Sequence, residues 1–381
     1  MSWLGAALAA ILIAVILIDA FEAMILPRRV RHAFRLSRQV YFFSWRFWRM
    51  LAGLMPMGRT RAGFLSIFGP LSLFALLTIW AMGLIFGFAL LHWSIDTHLT
   101  GVDVRHSLGT YVYYSGTTFV TLGLGDLSPQ GSLARALTVA EAGMGFGFLA
   151  VVISYLPVLY QAFSKRETTI SLLDARAGSP PTAGELLRRL ADARSLPSIG
   201  PLLSEWEKWS AELLENHLSF PVLRYYRSQH DNQSWVATLT MVLDASAFLI
   251  ANVDWADVYQ ARLTFAMARH AAVDLVLISR GPAMPPAEDR LPREDFLRLR
   301  KWLEEGSIVL RDEAAAATTL AELRGLYEPF INVLGNQLLF ALPPFVPAKR
   351  PVDNWQTSPG MDRSPGLTDL QALGARDEHA S

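Results

Sequence analysis

No charged residue falls between Gly63 and Leu91. A run this long and apolar has no stable place on a water-exposed surface. In hydrocarbon every backbone N–H and C=O must find its partner inside the protein, so helices and closed barrels are the spanning forms. At 1.5 Å per residue, about 20 residues cross a bilayer core of roughly 30 Å. Phe64–Trp93 therefore reads as a membrane-spanning helix. The chain as a whole agrees: it is 52% hydrophobic, with mean hydropathy +0.27 and no net charge.

Two further apolar runs flank this one. Trp3 to Leu26 is interrupted only by Asp19 and Glu22. A cleavable leader would carry basic residues ahead of its apolar stretch. Here none precede it and a basic block follows, so a retained span is expected. Asp19 and Glu22 lie near its basic end, where pairing with arginines or reaching headgroup water would satisfy them. From Arg28 to Arg61 there are nine arginines and no acidic residue, interleaved with Phe34, Tyr41, Phe42, Phe43, Trp45, Phe47 and Trp48. Beside a span, this reads as an interfacial helix against anionic lipid rather than a nucleic-acid surface. Arginine marks the cytoplasmic side, so the N-terminus is expected outside.

Leu133–Phe163 is the third expected span, ending in Lys165-Arg166. Gly143, Gly145 and Gly147 give it a bendable point and Pro157 a kink, although glycines also serve close helix packing. Glu141 lies within the span, and an intramembrane carboxylate is a functional candidate by default. It either braces the loop that precedes the span or pairs with Arg135, which points to a different helix face, so that such a pair is made between segments or subunits. Asp96, His98, Asp103 and His106 fall in the outer loop; their spacing is not that of a zinc site, and an exposed polar loop is expected.

That preceding stretch is Ser115-Gly-Thr-Thr-Phe-Val-Thr-Leu-Gly-Leu-Gly-Asp-Leu-Ser-Pro129. Glycines at alternate positions adopt positive φ readily, which lets successive carbonyls face one way. A ring of such carbonyls is a cage for a dehydrated cation. Ser107–Phe119 reads as a short re-entrant helix whose negative C-terminal end favours a cation at mid-membrane. Thr121-Leu122-Gly123-Leu124-Gly125-Asp126 resembles the potassium-channel signature T-V-G-Y-G-D, with Leu122 for Val and Leu124 for Tyr. Phe64–Phe163 as a whole resembles the pore module of two-helix bacterial potassium channels.

The resemblance implies a homotetramer in the bacterial inner membrane. K+ would be coordinated by the carbonyls of Thr121, Leu122, Gly123 and Leu124 and by the Thr121 hydroxyl. Gly125, Asp126 and Glu141 would support the filter, with Asp126 at the outer mouth. Gly145 would be the inner-helix hinge, with Leu149, Ile153 and Pro157 lining the cavity and gate. Such a protein is not an enzyme and has neither catalytic residues nor a cofactor besides the permeant ion. Because Leu124 replaces the usual aromatic residue, a weakly selective cation channel stays open as an alternative. So does a non-conducting, membrane-anchored helical sensor or scaffold.

The remaining half reads as soluble and helical. Asp174–Pro181 is expected to be a linker or a sharp turn, and Thr182 with Glu185 resembles a capping box. Apolar periodicity recurs at Leu186, Leu187 and Leu190, and again from Leu202 to Leu214. Trp235–Val253 is apolar, but Thr238, Thr240, Asp244, Ser246 and Asn252 mark it as a buried core helix rather than a fourth span. No strand–Gly-x-Gly-x-x-Gly–helix unit is present. His217, His230 and Asp231 are candidates for a switch. There is no cysteine, which excludes disulfides and thiolate chemistry. The expected fold is an all-α membrane protein: an N-terminal span (1–27), a basic interfacial segment (28–63), a pore module (64–163), a helical cytoplasmic domain (164–343) and a disordered tail (344–381).

Overall fold

The computed structural model describes residues 2–25, 35–101, 106–193, 195–196, 199–228, 233–254, 258–279, 283–285 and 288–348. The protein is an all-α membrane protein, and its chain divides into two compact units. Arg28, Arg29, Arg31, Phe34, Asp103, His230 and Asp231 lie outside the described residues.

The first unit comprises Met1–Gln161 and Leu218–Leu223. Its elements are α1 (Trp3–Met24), α2 (Leu36–Gly53), α3 (Arg59–Ser94), β1 (Leu99–Gly101), α4 (Leu108–Phe119), β2 (Leu127–Pro129) and the first part of α5 (Ser132–Ala177). The apolar runs become helices because only there are their backbone groups satisfied internally. α1 and α3 approach closely, with Ile13 and Ile16 of α1 seated against Gly87 and Gly83 of α3. The one buried charge on α1, Asp19, accepts hydrogen bonds from Trp80 Nε1 (3.0 Å), Ser37 N (2.9 Å) and Ser37 Oγ (3.1 Å). Among the described residues Asp19 thus meets three neutral donors and no arginine, whereas Glu22 does meet Arg35, at 3.5 Å. α2 presents Phe42, Phe43, Phe47 and Met50 as exposed apolar side chains. Its Trp48 stacks on Phe64 (4.3 Å between centroids) and donates to the Phe64 carbonyl.

The short helix α4 opens at Ser107, whose hydroxyl accepts from the Thr110 N–H as an N-cap. Beyond α4, β1 and β2 pair antiparallel with Leu99 opposite Pro129 and Gly101 opposite Leu127. This six-residue ladder ties the segment leaving the glycine-rich loop to the connection after α3. A three-residue strand leaves no periodicity to read, so the sequence does not announce it.

The second unit comprises Ala162–His217 and Arg224–Ser381. After the end of α5 it contains α6 (Ala183–Asp192), most of α7 (Gly200–Ser219), α8 (Trp235–Asn252), α9 (Val258–Ser279), α10 (Arg293–Glu305), α11 (Glu313–Gly325) and α12 (Glu328–Leu338). α8 is long and apolar enough to cross a membrane, as are α1, α3 and α5. Yet all of its residues are buried inside this unit, so it is a core helix. Its single charge, Asp244, is met by Arg290 and by the Tyr327 hydroxyl at 2.6 Å. Burial and the nearby carboxylate push the Tyr327 hydroxyl well above 10.0.

Three expectations for this half change. Asp174–Ala177 is not linker but the last turn of α5, because the charges of Lys165 and Arg166 do not end a helix; Gly178, at φ 77°, does. The capping box is one-sided. Thr182 Oγ1 accepts from Glu185 N, while the Glu185 carboxylate turns to Arg188 and Arg189. Burial alone would raise that carboxyl, but the two guanidiniums outweigh it and hold it below 4.5. Finally, the chain is ordered past Pro343: Phe345 is fully buried, its carbonyl accepts from Gly184 N at 2.9 Å, and Arg298 donates to the Pro347 carbonyl. The start of the expected tail therefore belongs to the helical domain, and residues 349–381 lie outside the described part.

Candidate functional site: the glycine-rich loop and its supports

The loop leaves α4 at Val120 and immediately takes an unusual path. Thr121, Gly123 and Gly125 all have positive φ, at 58°, 56° and 76°. For the two glycines this costs little, but for a β-branched threonine it is a strained conformation, of about 1–3 kcal/mol. The strain is held by hydrogen bonds from Thr121 N to the Thr118 carbonyl (3.0 Å) and from Leu122 N to the Thr117 carbonyl (2.8 Å). Left-handed residues at every second position undo the alternation a strand would impose. Among the described residues none donates to the carbonyls of Thr121, Leu122, Gly123 or Leu124. Thr121 through Asp126 are exposed in the single chain. A row of unpaired carbonyls at membrane depth is tolerated only where it faces water, an ion or another subunit.

Two supports hold the loop from behind. At its Asp126 end, the Tyr113 hydroxyl of α4 donates to Asp126 Oδ2 at 2.8 Å. At its Thr121 end, the α4 terminus rests on α5: a Cβ on Gly145 would run into the Phe119 carbonyl. Gly145 is therefore buried against α4 at Phe119, two residues before Thr121. The close approach accounts for a glycine there without any hinge. Gly143 and Gly147 have nothing from their own chain within 4 Å of a built Cβ. Leu149, Ile153 and Pro157 are exposed along α5. Leu124 is 60% exposed.

Deeper in, Glu141 of α5 is fully buried and contacts the Ser115 hydroxyl of α4. Its other oxygen lies 3.6 Å from His92 Nε2 on α3. Arg135, the alternative partner for Glu141, instead donates to the Pro129 carbonyl at 3.4 Å. The sequence reading missed His92, and a signal for it existed. It is the first ionisable residue after the uncharged run of the second span, on the same membrane level as an intramembrane carboxylate. No group of three or more metal-binding side chains occurs among the described residues.

Residues 74–161, which contain α4, the loop and most of α3 and α5, match the family model described as an ion channel. The chain carries an ion-channel pore module. Over 271 residues it is 28% identical to the uncharacterized membrane protein YdjJ of Bacillus subtilis (strain 168), covering 70% of this chain and 76% of that one. No solved structure matches the chain.

Proposed function

We propose that this protein is a potassium channel of four identical chains, each contributing one loop to a shared filter. The carbonyls of Thr121, Leu122, Gly123 and Leu124 and the Thr121 hydroxyl take the place of water around K+. What carries the reading is the alternation of left-handed residues Thr121, Gly123 and Gly125 with carbonyls that no described residue of their own chain uses. One loop supplies a quarter of a ring, so the fourfold assembly follows from the coordination of the ion. Leu149, Ile153 and Pro157 line the cavity below the filter. The N-terminus lies outside and the second unit in the cytoplasm, where it influences gating. α2 lies on the anionic inner face of a bacterial inner membrane, its exposed phenylalanines in the acyl boundary and its arginines at the headgroups.

The stoichiometry is the first test. Native mass measurement in mild detergent should give four chains. A monomer or dimer that still passes ions would overturn the filter assignment. A stable tetramer that passes none would favour the scaffold.

A further inference from the structure

The contacts around Glu141 contain a proton count that decides how the three membrane helices are joined. The Ser115 hydroxyl has a single proton and two oxygen neighbours: the Ile85 carbonyl of α3, at 2.8 Å, and Glu141 Oε1. It donates to one of them only. If it donates to Ile85, its contact with Glu141 is a hydrogen bond only when the carboxyl carries the proton. On the other side, Glu141 Oε2 and His92 Nε2 face each other at 3.6 Å, and among the described residues neither has a partner within hydrogen-bond range. His92 Nδ1 is 3.0 Å from Thr97 Oγ1. Both ring and carboxyl are sealed from solvent.

We propose that Glu141 is a neutral carboxylic acid whose proton starts a one-way hydrogen-bond chain through Ser115 to the Ile85 carbonyl, with His92, beside Thr97, in a 3.6 Å polar contact at its other oxygen. Thr97 Oγ1–H donates to His92 Nδ1, His92 Nε2–H points at Glu141 Oε2, Glu141 Oε1–H donates to Ser115 Oγ, and Ser115 donates to Ile85. In this order the Ser115 hydroxyl, the Ile85 carbonyl and Glu141 Oε1 are all used, His92 Nε2 and Glu141 Oε2 face each other beyond hydrogen-bond length, and no net charge is buried, which an ionised carboxylate beside a neutral imidazole would not achieve. Among the described residues the surrounding titratable groups add no cation. The edge of Tyr114 stands 5.5 Å from the His92 ring, and the Tyr114 hydroxyl bonds Thr138. Tyr111 donates to the Thr97 carbonyl and meets His106, and Asp96 is the nearby acid. The chain links α3, α4 and α5, so His92, Glu141 and Ser115 are positioning residues that hold the pore helix beneath the filter. Their effect on ion selection rests on the channel reading above; the proton on Glu141 does not.

The test uses the full-length protein in lipid at neutral pH. An infrared difference spectrum between the parent and Glu141→Gln should show loss of a carboxylic-acid C=O band. Loss of carboxylate bands instead would overturn the proposal. Glutamine can donate to Ser115 and accept from His92, so Glu141→Gln should retain more of the oligomer's thermal stability and of its K+ flux than Glu141→Ala. Equal damage from both variants would also overturn it. His92→Ala and Ser115→Ala should each lower the oligomer's melting temperature. If the parent passes no ions, the channel reading fails while the infrared band still reports the proton.

Discussion

Gly145 separates two accounts of the inner helix, and its neighbours supply the controls. Replacing glycine by alanine inside a helix stabilises by about 1 kcal/mol when the new methyl has room. At Gly143 and Gly147 a built Cβ meets nothing of its own chain within 4 Å, so Gly143→Ala and Gly147→Ala should keep or raise stability. At Gly145 the methyl meets the Phe119 carbonyl, a backbone group that cannot rotate away. Overpacking of this kind costs about 1–3 kcal/mol. Against the helix gain, the expected net loss is about 0–2 kcal/mol per chain, up to roughly a 30-fold change in a folding equilibrium. The displacement falls two residues before Thr121, so K+ flux should drop with stability. The assay compares thermal unfolding of the oligomer and liposome flux for the three variants. A Gly145→Ala protein as stable as Gly143→Ala, altered only in opening, would restore the hinge and refute the packing argument.

Three further outcomes are expected. Thr121→Ala should impair conduction more than mutation of any polar residue in the second unit, because it removes the side-chain oxygen of the row; unchanged flux and selectivity would show that the filter is misplaced. Leu124→Tyr should be tolerated and raise the potassium preference, read as the reversal potential under matched K+ and Na+ gradients; normal assembly with lost conduction would mean the space behind Leu124 is shaped for leucine. In the second unit, burial, with Arg166 nearby, holds the His217 imidazole well below 6.5 despite its bond to the Leu213 carbonyl. The unfolded chain binds this proton first, so stability should fall as pH drops below about 6.5, by up to about 1.4 kcal/mol per pH unit from this group. Denaturant titrations at pH 7.5 and 5.5 should show the slope, and His217→Leu should reduce it; an equal slope in the variant would assign the effect to other groups.

The spans were legible because hydrocarbon allows so few solutions. An uncharged run from Gly63 to Leu91 permits little besides a helix, and the observed α3 exceeds the expected bounds only by its ends. The glycine-rich loop was legible for a similar reason: left-handed backbone at alternate positions writes itself into sequence as glycine. What escaped depended on side chains meeting across distant segments. Nothing local to Asp19 says that Trp80, 61 residues away, will donate to it. His92 and Glu141 are 49 positions apart in the chain, and only the packing of α3 on α4 and α5 brings them together. The end of α5 was misjudged because a charged pair was read as a stop, when a charge outside the membrane is compatible with more helix. The composition after Pro343 reads as disorder, yet the fully buried Phe345 anchors the residues that follow it. Composition reports average polarity and misses a single aromatic anchor.

The central claim is that the carbonyls of Thr121–Leu124 form a cation cage, and ion flux through the purified protein in liposomes tests it most directly. Under equal outward gradients, the account expects K+ to leave faster than Na+, and expects Thr121→Ala to weaken that preference. Equal rates for the two cations in the parent would contradict the potassium assignment, and no flux of either from vesicles that hold tetramers would contradict the channel itself.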